Sequence, residues 1–204
     1  MKNILCFGDS LTAGYNNDGK NFYPYSKTLS KLLGNEYNVD FIGITGVTVD
    51  EILYNIDNDI EDINNIGWFG LRKQLNTKKY DYCILLIGSN DLSDYNSESV
   101  TEDILKLHKI IHELDVKSIA LTIPRLSFER VDTDMKDVRE QINKNLINNT
   151  DNINLYNVID FASIIEKYDE KIVYDYDGLH LSKEGYSEMA NIIYVEFLDI
   201  CKRL

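Results

Sequence analysis

The 204-residue sequence predicts an α/β fold, a three-layer α/β/α sandwich with helices on both faces of a five-stranded parallel sheet. Two observations carry this. Short apolar runs bounded by turn residues recur along the chain, and the segments between most of them have helical periodicity. The first, third and fourth runs are almost continuously apolar, as strands covered on both faces are.

The predicted strands are Asn3–Phe7 (NILCF), Tyr37–Ile42 (YNVDFI), Tyr82–Ile87 (YCILLI), Ser118–Ile123 (SIALTI) and about Ile153–Val158. Between them lie predicted helices at Tyr25–Leu33, Val49–Ile63, Phe69–Leu75, Glu102–Leu114, Asp134–Asn148 and Lys183–Leu204. In the fourth of these, Ile104, Leu107, Ile111 and Leu114 recur at three- and four-residue steps and form one apolar stripe, while Lys106, Lys109 and Glu113 point away. Right-handed crossovers then stack the helices on the two faces of the sheet. Pro24 and Pro124 are the only prolines and neither sits in a linker-like stretch, so residues 1–204 are expected to form a single domain.

Composition excludes several classes of partner. The chain carries 34 acidic against 21 basic residues, a formal charge of −13, which repels phosphate backbones and anionic lipid. Its basic clusters, Lys78-Lys79 and Lys202-Arg203, are too short for a nucleic-acid footprint, and no apolar run reaches the roughly 18 residues of a membrane span. Neither nucleic acid nor a membrane span is expected. Cys6, Cys83 and Cys201 form no C-x-x-C pair and are read as reduced and structural. The apolar run in Met1–Phe7 is shorter than that of a signal peptide, so a cytoplasmic location is expected. Oligomeric state has no sequence signal.

In an open parallel sheet, ligands bind beyond the carboxyl ends of the strands. Four junctions carry candidate groups: Gly8-Asp9-Ser10-Leu11 after the first strand, Gly43-Ile44-Thr45-Gly46 after the second, Gly88-Ser89-Asn90-Asp91 after the third, and Asp177-Gly178-Leu179-His180 near the end. Singly each is weak, since Ser caps helices, Asn favours turns, and an isolated His is more often structural than catalytic. Together they supply what serine hydrolysis needs: a nucleophile, a base, a group that orients the base, and oxyanion donors. Ser10 is the candidate nucleophile and its backbone N–H a candidate oxyanion donor. His180 is the candidate base. Asp177, three residues earlier, is the candidate to fix its tautomer, with Asp175 as a spare at less favourable spacing. The Asn90 amide and a glycine of the second junction are the remaining oxyanion candidates, and spacing does not choose between Gly43 and Gly46.

These four blocks, in this order, resemble the SGNH hydrolases, the GDSL esterase/lipase family. The resemblance runs from near the first residue to the last helix. It implies a flavodoxin-like SGNH fold, Ser10 as nucleophile, Asp177 and His180 as its triad partners, and Ser10, Gly46 and Asn90 as the oxyanion hole. One departure is Val47, where many members have an acid between the glycine and Thr48; a backbone donor tolerates it, while the support such an acid gives around that glycine is absent.

No cofactor or metal is expected. Gly8–Tyr15 lacks the Lys-Ser/Thr ending of a phosphate-binding loop, and no G-x-G-x-x-G follows a strand. His108 and His112 stand four apart on a helix but lack the glutamate of H-E-x-x-H, and are read as a solvated face rather than a zinc site. Tyr15, Phe22, Tyr23, Trp68, Phe69, Tyr95 and Phe128 are candidates to wall a substrate pocket, and Ser127-Phe128-Glu129-Arg130 to form part of its rim. The expected partner is a small-molecule ester with a short acyl group on a small alcohol or sugar. An acyltransferase, a lysophospholipase or thioesterase of the same fold, or a non-catalytic binding protein are the alternatives.

Overall fold

The structure is a computed structural model that describes residues 1–94, 96–153 and 156–203. Five strands, β1 (Lys2–Gly8), β2 (Tyr37–Gly43), β3 (Tyr82–Leu86), β4 (Lys117–Leu121) and β5 (Tyr156–Ile159), pair in parallel in the order β2-β1-β3-β4-β5. The order reverses direction at β1, so the crevice beyond β1 and β3 is the topological switch point of the sheet. The register puts Gly8, the last residue of β1, level with Gly43 of β2 and Leu86 of β3.

Alternate residues of each strand enter opposite cores. Leu5 and Phe7 of β1 join Val49, Ile52, Leu71, Ile104, Leu107, Ile111, Ile142 and Leu146 on one face. On the other face Ile4 and Cys6 join Tyr25, Leu29, Phe161, Met189, Ile193 and Phe197. The helices that supply these side chains are α1 (Ser10–Ala13), α2 (Tyr25–Leu33), α3 (Val49–Tyr54), α4 (Leu71–Leu75), α5 (Ser97–Glu113), α6 (Thr133–Ile153), α7 (Phe161–Ile165), α8 (Glu170–Val173) and α9 (Lys183–Arg203). The three-layer α/β/α prediction and its five parallel strands are therefore met. None of the described helices is long and apolar enough to cross a membrane.

Several boundaries differ from the sequence reading, each for a local reason. The helix predicted over Val49–Ile63 ends at Tyr54 because Asn55 and the polar Asp57-Asn58 turn break it, and Asp59–Glu61 pairs antiparallel with Gly67–Phe69. The Asp62 carboxylate closes that hairpin by accepting from Asn64 N at 2.8 Å and Ile66 N at 3.0 Å. Helix α5 starts five residues earlier than predicted because the Asn96 side chain caps it, accepting from Ser99 N at 3.1 Å. The predicted fifth strand starts three residues before β5: Ile153 ends α6, residues 154 and 155 lie outside the described residues, and so does Leu204 beyond α9. A second hairpin, Tyr15–Asn16 with Asn21–Phe22, was not visible in the pattern.

His108 corrects the solvated-face reading. It is fully buried on α5 with Nδ1 2.5 Å from Ser118 Oγ on β4, while His112 is exposed. Among the described residues no three His, Cys, Asp or Glu side chains gather as a metal site. The three cysteines are unpaired, and burial pushes the Cys6 thiol up to about 12.

Burial lowers the His108 pKa from 6.5 to about 3. As pH falls below 6.5 the unfolded chain takes up this proton and the native state does not, so stability is lost between about pH 6.5 and pH 3. Denaturant melts at pH 7.5 and pH 5 should show a stability loss about 2 kcal/mol larger in the wild type than in His108→Asn, at roughly 1.4 kcal/mol per pH unit below 6.5. Equal losses in the two proteins would refute a buried neutral imidazole.

Candidate active site

Four loops meet beyond the carboxyl ends of β1, β2 and β3. The first turns directly into α1, whose cap is Asp9: its carboxylate accepts from Leu11 N at 2.9 Å and leaves Ser10 as the first helical residue. The loop after β2 turns at Gly46, which has φ +83°, a conformation L side chains rarely adopt. The loop after β3 contributes Ser89, Asn90 and Asp91. Side chains tie these three loops to one another. Ser89 Oγ donates to Asp9 Oδ2 at 2.5 Å, Asn90 Nδ2 donates to Val47 O at 2.8 Å, and Asp91 Oδ1 accepts from Val49 N at 3.0 Å. An amide nitrogen carries two hydrogens, so the bond to Val47 fixes the Asn90 side chain beside Gly46 while using one of them.

The fourth loop carries Asp177 and His180. Its two side chains and Ser10 form a continuous line: Ser10 Oγ lies 2.9 Å from His180 Nε2, and His180 Nδ1 lies 2.7 Å from Asp177 Oδ2. The remaining oxygen, Asp177 Oδ1, accepts from the backbone of Leu179 and of His180, each at 2.9 Å. The carboxylate thus holds both the imidazole and the main chain that presents it. Burial opposes ionisation of Asp177, but the bonds from the His180 ring and the two amides outweigh it, and the pKa lies below the ordinary carboxylate value.

The unpredicted Tyr15–Phe22 hairpin secures the other side of this loop. Asn16 Nδ2 donates to Leu181 O at 3.1 Å, Asn17 N donates to Asp175 Oδ2 at 2.6 Å, and Tyr186 Oη donates to Tyr15 O at 2.8 Å. The Tyr15 ring then stacks on the His180 imidazole, with centroids 4.5 Å apart and planes inclined by 38°, and Phe22 meets Tyr15 edge-on.

Ser10, Asp177 and His180 are therefore brought together, and Gly46 and Asn90 are joined across neighbouring loops. The spare acid, Asp175, faces Asn17 rather than the imidazole. Of the aromatic candidates, Tyr15 flanks His180, and Phe22 meets Tyr15 rather than the imidazole. Trp68 packs against Phe41 at the sheet edge, Phe69 lies beneath Lys73, and Tyr23 packs on the second core. Tyr95 and the Phe128 side chain lie outside the described residues. Glu129 does not join the rim: it is buried against Arg139. Sequence reasoning missed Asp9, Ser89 and Asp91 as the links between loops, although all three stand inside the motif blocks already singled out.

Buried carboxylates at the β1 and β3 junctions behave differently from Asp177. Burial raises the pKa of Asp9, against bonds from Ser89 and Leu11. Burial also raises Asp91 to about 7, with Val49 N the main opposing bond.

The parallel sheet and the four junctions define a hydrolase of the GDSL/SGNH class. A model of the GDSL-like Lipase/Acylhydrolase family matches residues 6–187, and the chain belongs to that family. Among solved structures, the chain is similar to the lipase/acylhydrolase from Enterococcus faecalis, with 22% identity, 98% of this chain and 97% of that one covered, and TM-score 0.72. It is similar to a lipolytic G-D-S-L family member from Veillonella parvula, with 22% identity, 100% of both chains covered and TM-score 0.71. It also resembles the psychrotrophic esterase EstA from a Pseudoalteromonas species, with 16% identity, 99% and 100% coverage and TM-score 0.68. No curated protein matches the chain.

The raised pKa of Asp91 means that the native state holds a proton the unfolded carboxylate releases at about pH 3.9. Its contribution to stability is present below that pH and is lost as pH rises to about 7. Asp91→Asn, which keeps an acceptor for Val49 N, should be more stable than the wild type at pH 8, with the advantage shrinking toward pH 4 in denaturant melts. A pH-independent difference would contradict this.

Proposed function

We propose that the chain is a serine esterase that hydrolyses carboxylic esters through an acyl-enzyme on Ser10, within one catalytic domain spanning residues 1–204. The observation that carries this reading is the hydrogen-bonded line from Ser10 Oγ through the His180 ring to Asp177, at 2.9 and 2.7 Å. Those separations suit proton transfer without rearrangement. His180 Nε2 takes the Ser10 proton as Oγ bonds to the ester carbonyl carbon. The carbonyl electrons move to oxygen, which accepts hydrogen bonds from the Ser10 and Gly46 backbone N–H groups and from Asn90 Nδ2. Collapse breaks the bond to the alcohol, which leaves with the proton from His180. Water then repeats the sequence on the acyl-enzyme. Asp177 remains ionised and stabilises the imidazolium.

Since His180 protonates the leaving alcohol, the alcohol departs beside the imidazole, against which Tyr15 stacks. This supports a small or ring-bearing alcohol, an alkyl or sugar ester; a short acyl group is the further part of the proposal, tested by a chain-length series of esters. The Pseudoalteromonas esterase is inhibited by monoethylphosphonate, and a phosphonate is accordingly a suitable probe for Ser10.

A p-nitrophenyl ester series from acetate to palmitate, assayed with wild type and Ser10→Ala in parallel, should give turnover that peaks at short chains and vanishes in the variant. Asn90→Ala should lower kcat about 10²-fold or more. Ser10-independent hydrolysis, or wild-type rates from Asn90→Ala, would overturn the assignment.

A further inference from the structure

The proposed catalytic line ends at Asp177, but the loop carrying it, unlike the loops bearing Ser10 and Asn90, does not follow directly from one of the strands it faces. On the side away from the hairpin it is held by the segment after β4. Ser127 N donates to Gly178 O at 2.7 Å and Ser127 Oγ donates to Asp177 O at 3.0 Å. The contact is tight: a Cβ on Gly178 would lie 2.4 Å from Ser127 Cβ. Ser127 therefore touches the Asp177 loop through both its main chain and its side chain, without reaching the reacting atoms.

Ser127 is in turn immobilised from behind. Glu129 Oε1 accepts from Leu126 N at 2.9 Å, and the same carboxylate takes Arg139 Nε at 2.6 Å and Nη2 at 2.9 Å. The pair is deeply buried, with side chains 5% and 2% exposed. One turn further along α6, Asn143 closes both backbone groups of Ile123, accepting from its N–H and donating to its carbonyl at 2.8 Å each. Helix α6 thus grips both ends of the 123–129 segment. A buried ion pair is a poor source of stability, because desolvation offsets much of its attraction, but its bidentate geometry fixes the register of whatever it holds.

We infer that Ser127, held by the buried Glu129–Arg139 pair, is a positioning residue that sets the Asp177–His180 loop against Ser10. The inference rests on the serine-esterase reading above. The Ser127 hydroxyl fixes the Asp177 carbonyl, the Asp177 carboxylate fixes the His180 ring and amide, and the ring meets Ser10. Loss of the hydroxyl releases the base from its attack geometry while leaving the substrate surface intact.

Ser127→Ala is the test, with kcat, KM, the rate of Ser10 labelling by a fluorophosphonate, and the melting temperature as readouts. The expected result is a fall of about ten-fold in both kcat and labelling rate, with KM and melting temperature near wild type. Glu129→Gln, where it folds, should shift kcat the same way. Wild-type kcat and labelling in Ser127→Ala would overturn the inference, as would a loss that appears in KM or in melting temperature instead. Ser10→Ala in the same assays separates the two readings. A dead Ser10→Ala beside a wild-type-like Ser127→Ala removes only the positioning role, whereas a wild type with neither turnover nor Ser10 labelling removes both.

Discussion

A Cβ placed on Gly8 would lie 1.9 Å from the carbonyl oxygen of Leu86 and 2.6 Å from Thr12 Oγ1. The ends of β1 and β3 and the first turn of α1 therefore approach closer than any side chain allows, and the rest of the site depends on that approach. With the strand ends this close, the loops that follow are within reach of one another's side chains. Ser89 reaches Asp9, Asn90 reaches Val47, and Asp91 reaches Val49 N. Ser10 and the proposed oxyanion donors are then fixed relative to the sheet, which is covered by helices on both faces and resists deformation.

Three aspartates in the same crevice acquire different electrostatic characters from their surroundings. Asp177 keeps 26% of its side chain exposed and accepts bonds from a ring nitrogen and two amides, which favours the charge an imidazolium needs beside it. Asp9 and Asp91 are buried more deeply against fewer donors, and burial raises both. Both join loops, Asp9 through Ser89 and Asp91 through Val49 N. The crevice thus holds one carboxylate whose charge its donors favour and two that burial disfavours.

What was legible in the sequence follows from how local each signal is. Nearly continuous apolar runs marked the first, third and fourth strands because those strands are buried on both faces, and three of the four motif blocks were legible because each follows a strand end, while the Asp177–His180 block follows a helix. Elements that depend on distant partners were not. Ile56 and Ile60 continue the α3 periodicity and are buried, yet they reach the core from a turn and a hairpin strand, since the intervening Asn55, Asp57 and Asn58 end the helix. His108 flanks the apolar stripe and looks solvated until Ser118 on β4 is placed against it. Glu129 reads as a surface charge because Arg139, on a different element, neutralises it. The Tyr15–Phe22 hairpin has strands of two residues, too short for any alternation to register.

The site accordingly has two halves of different construction. Ser10, Gly46 and Asn90 stand on loops that leave three adjacent strands, and their spacing is fixed by the parallel register itself. Asp177 and His180 stand on a loop held by groups from outside the sheet ends: Ser127 on one side and Asn16 and Asn17 of the hairpin on the other, the hairpin itself being tied to Tyr186 of α9. In the proposed reaction the first half stabilises the oxyanion and the second delivers a proton to the departing alcohol. In that reading, sequence change in the hairpin alters the surroundings of the leaving group, and change in the 123–129 segment alters the placing of the base, without moving the oxyanion donors. On the proposed reaction, a single sheet geometry would keep the acyl chemistry constant while the hairpin beside the base determines which alcohol is released.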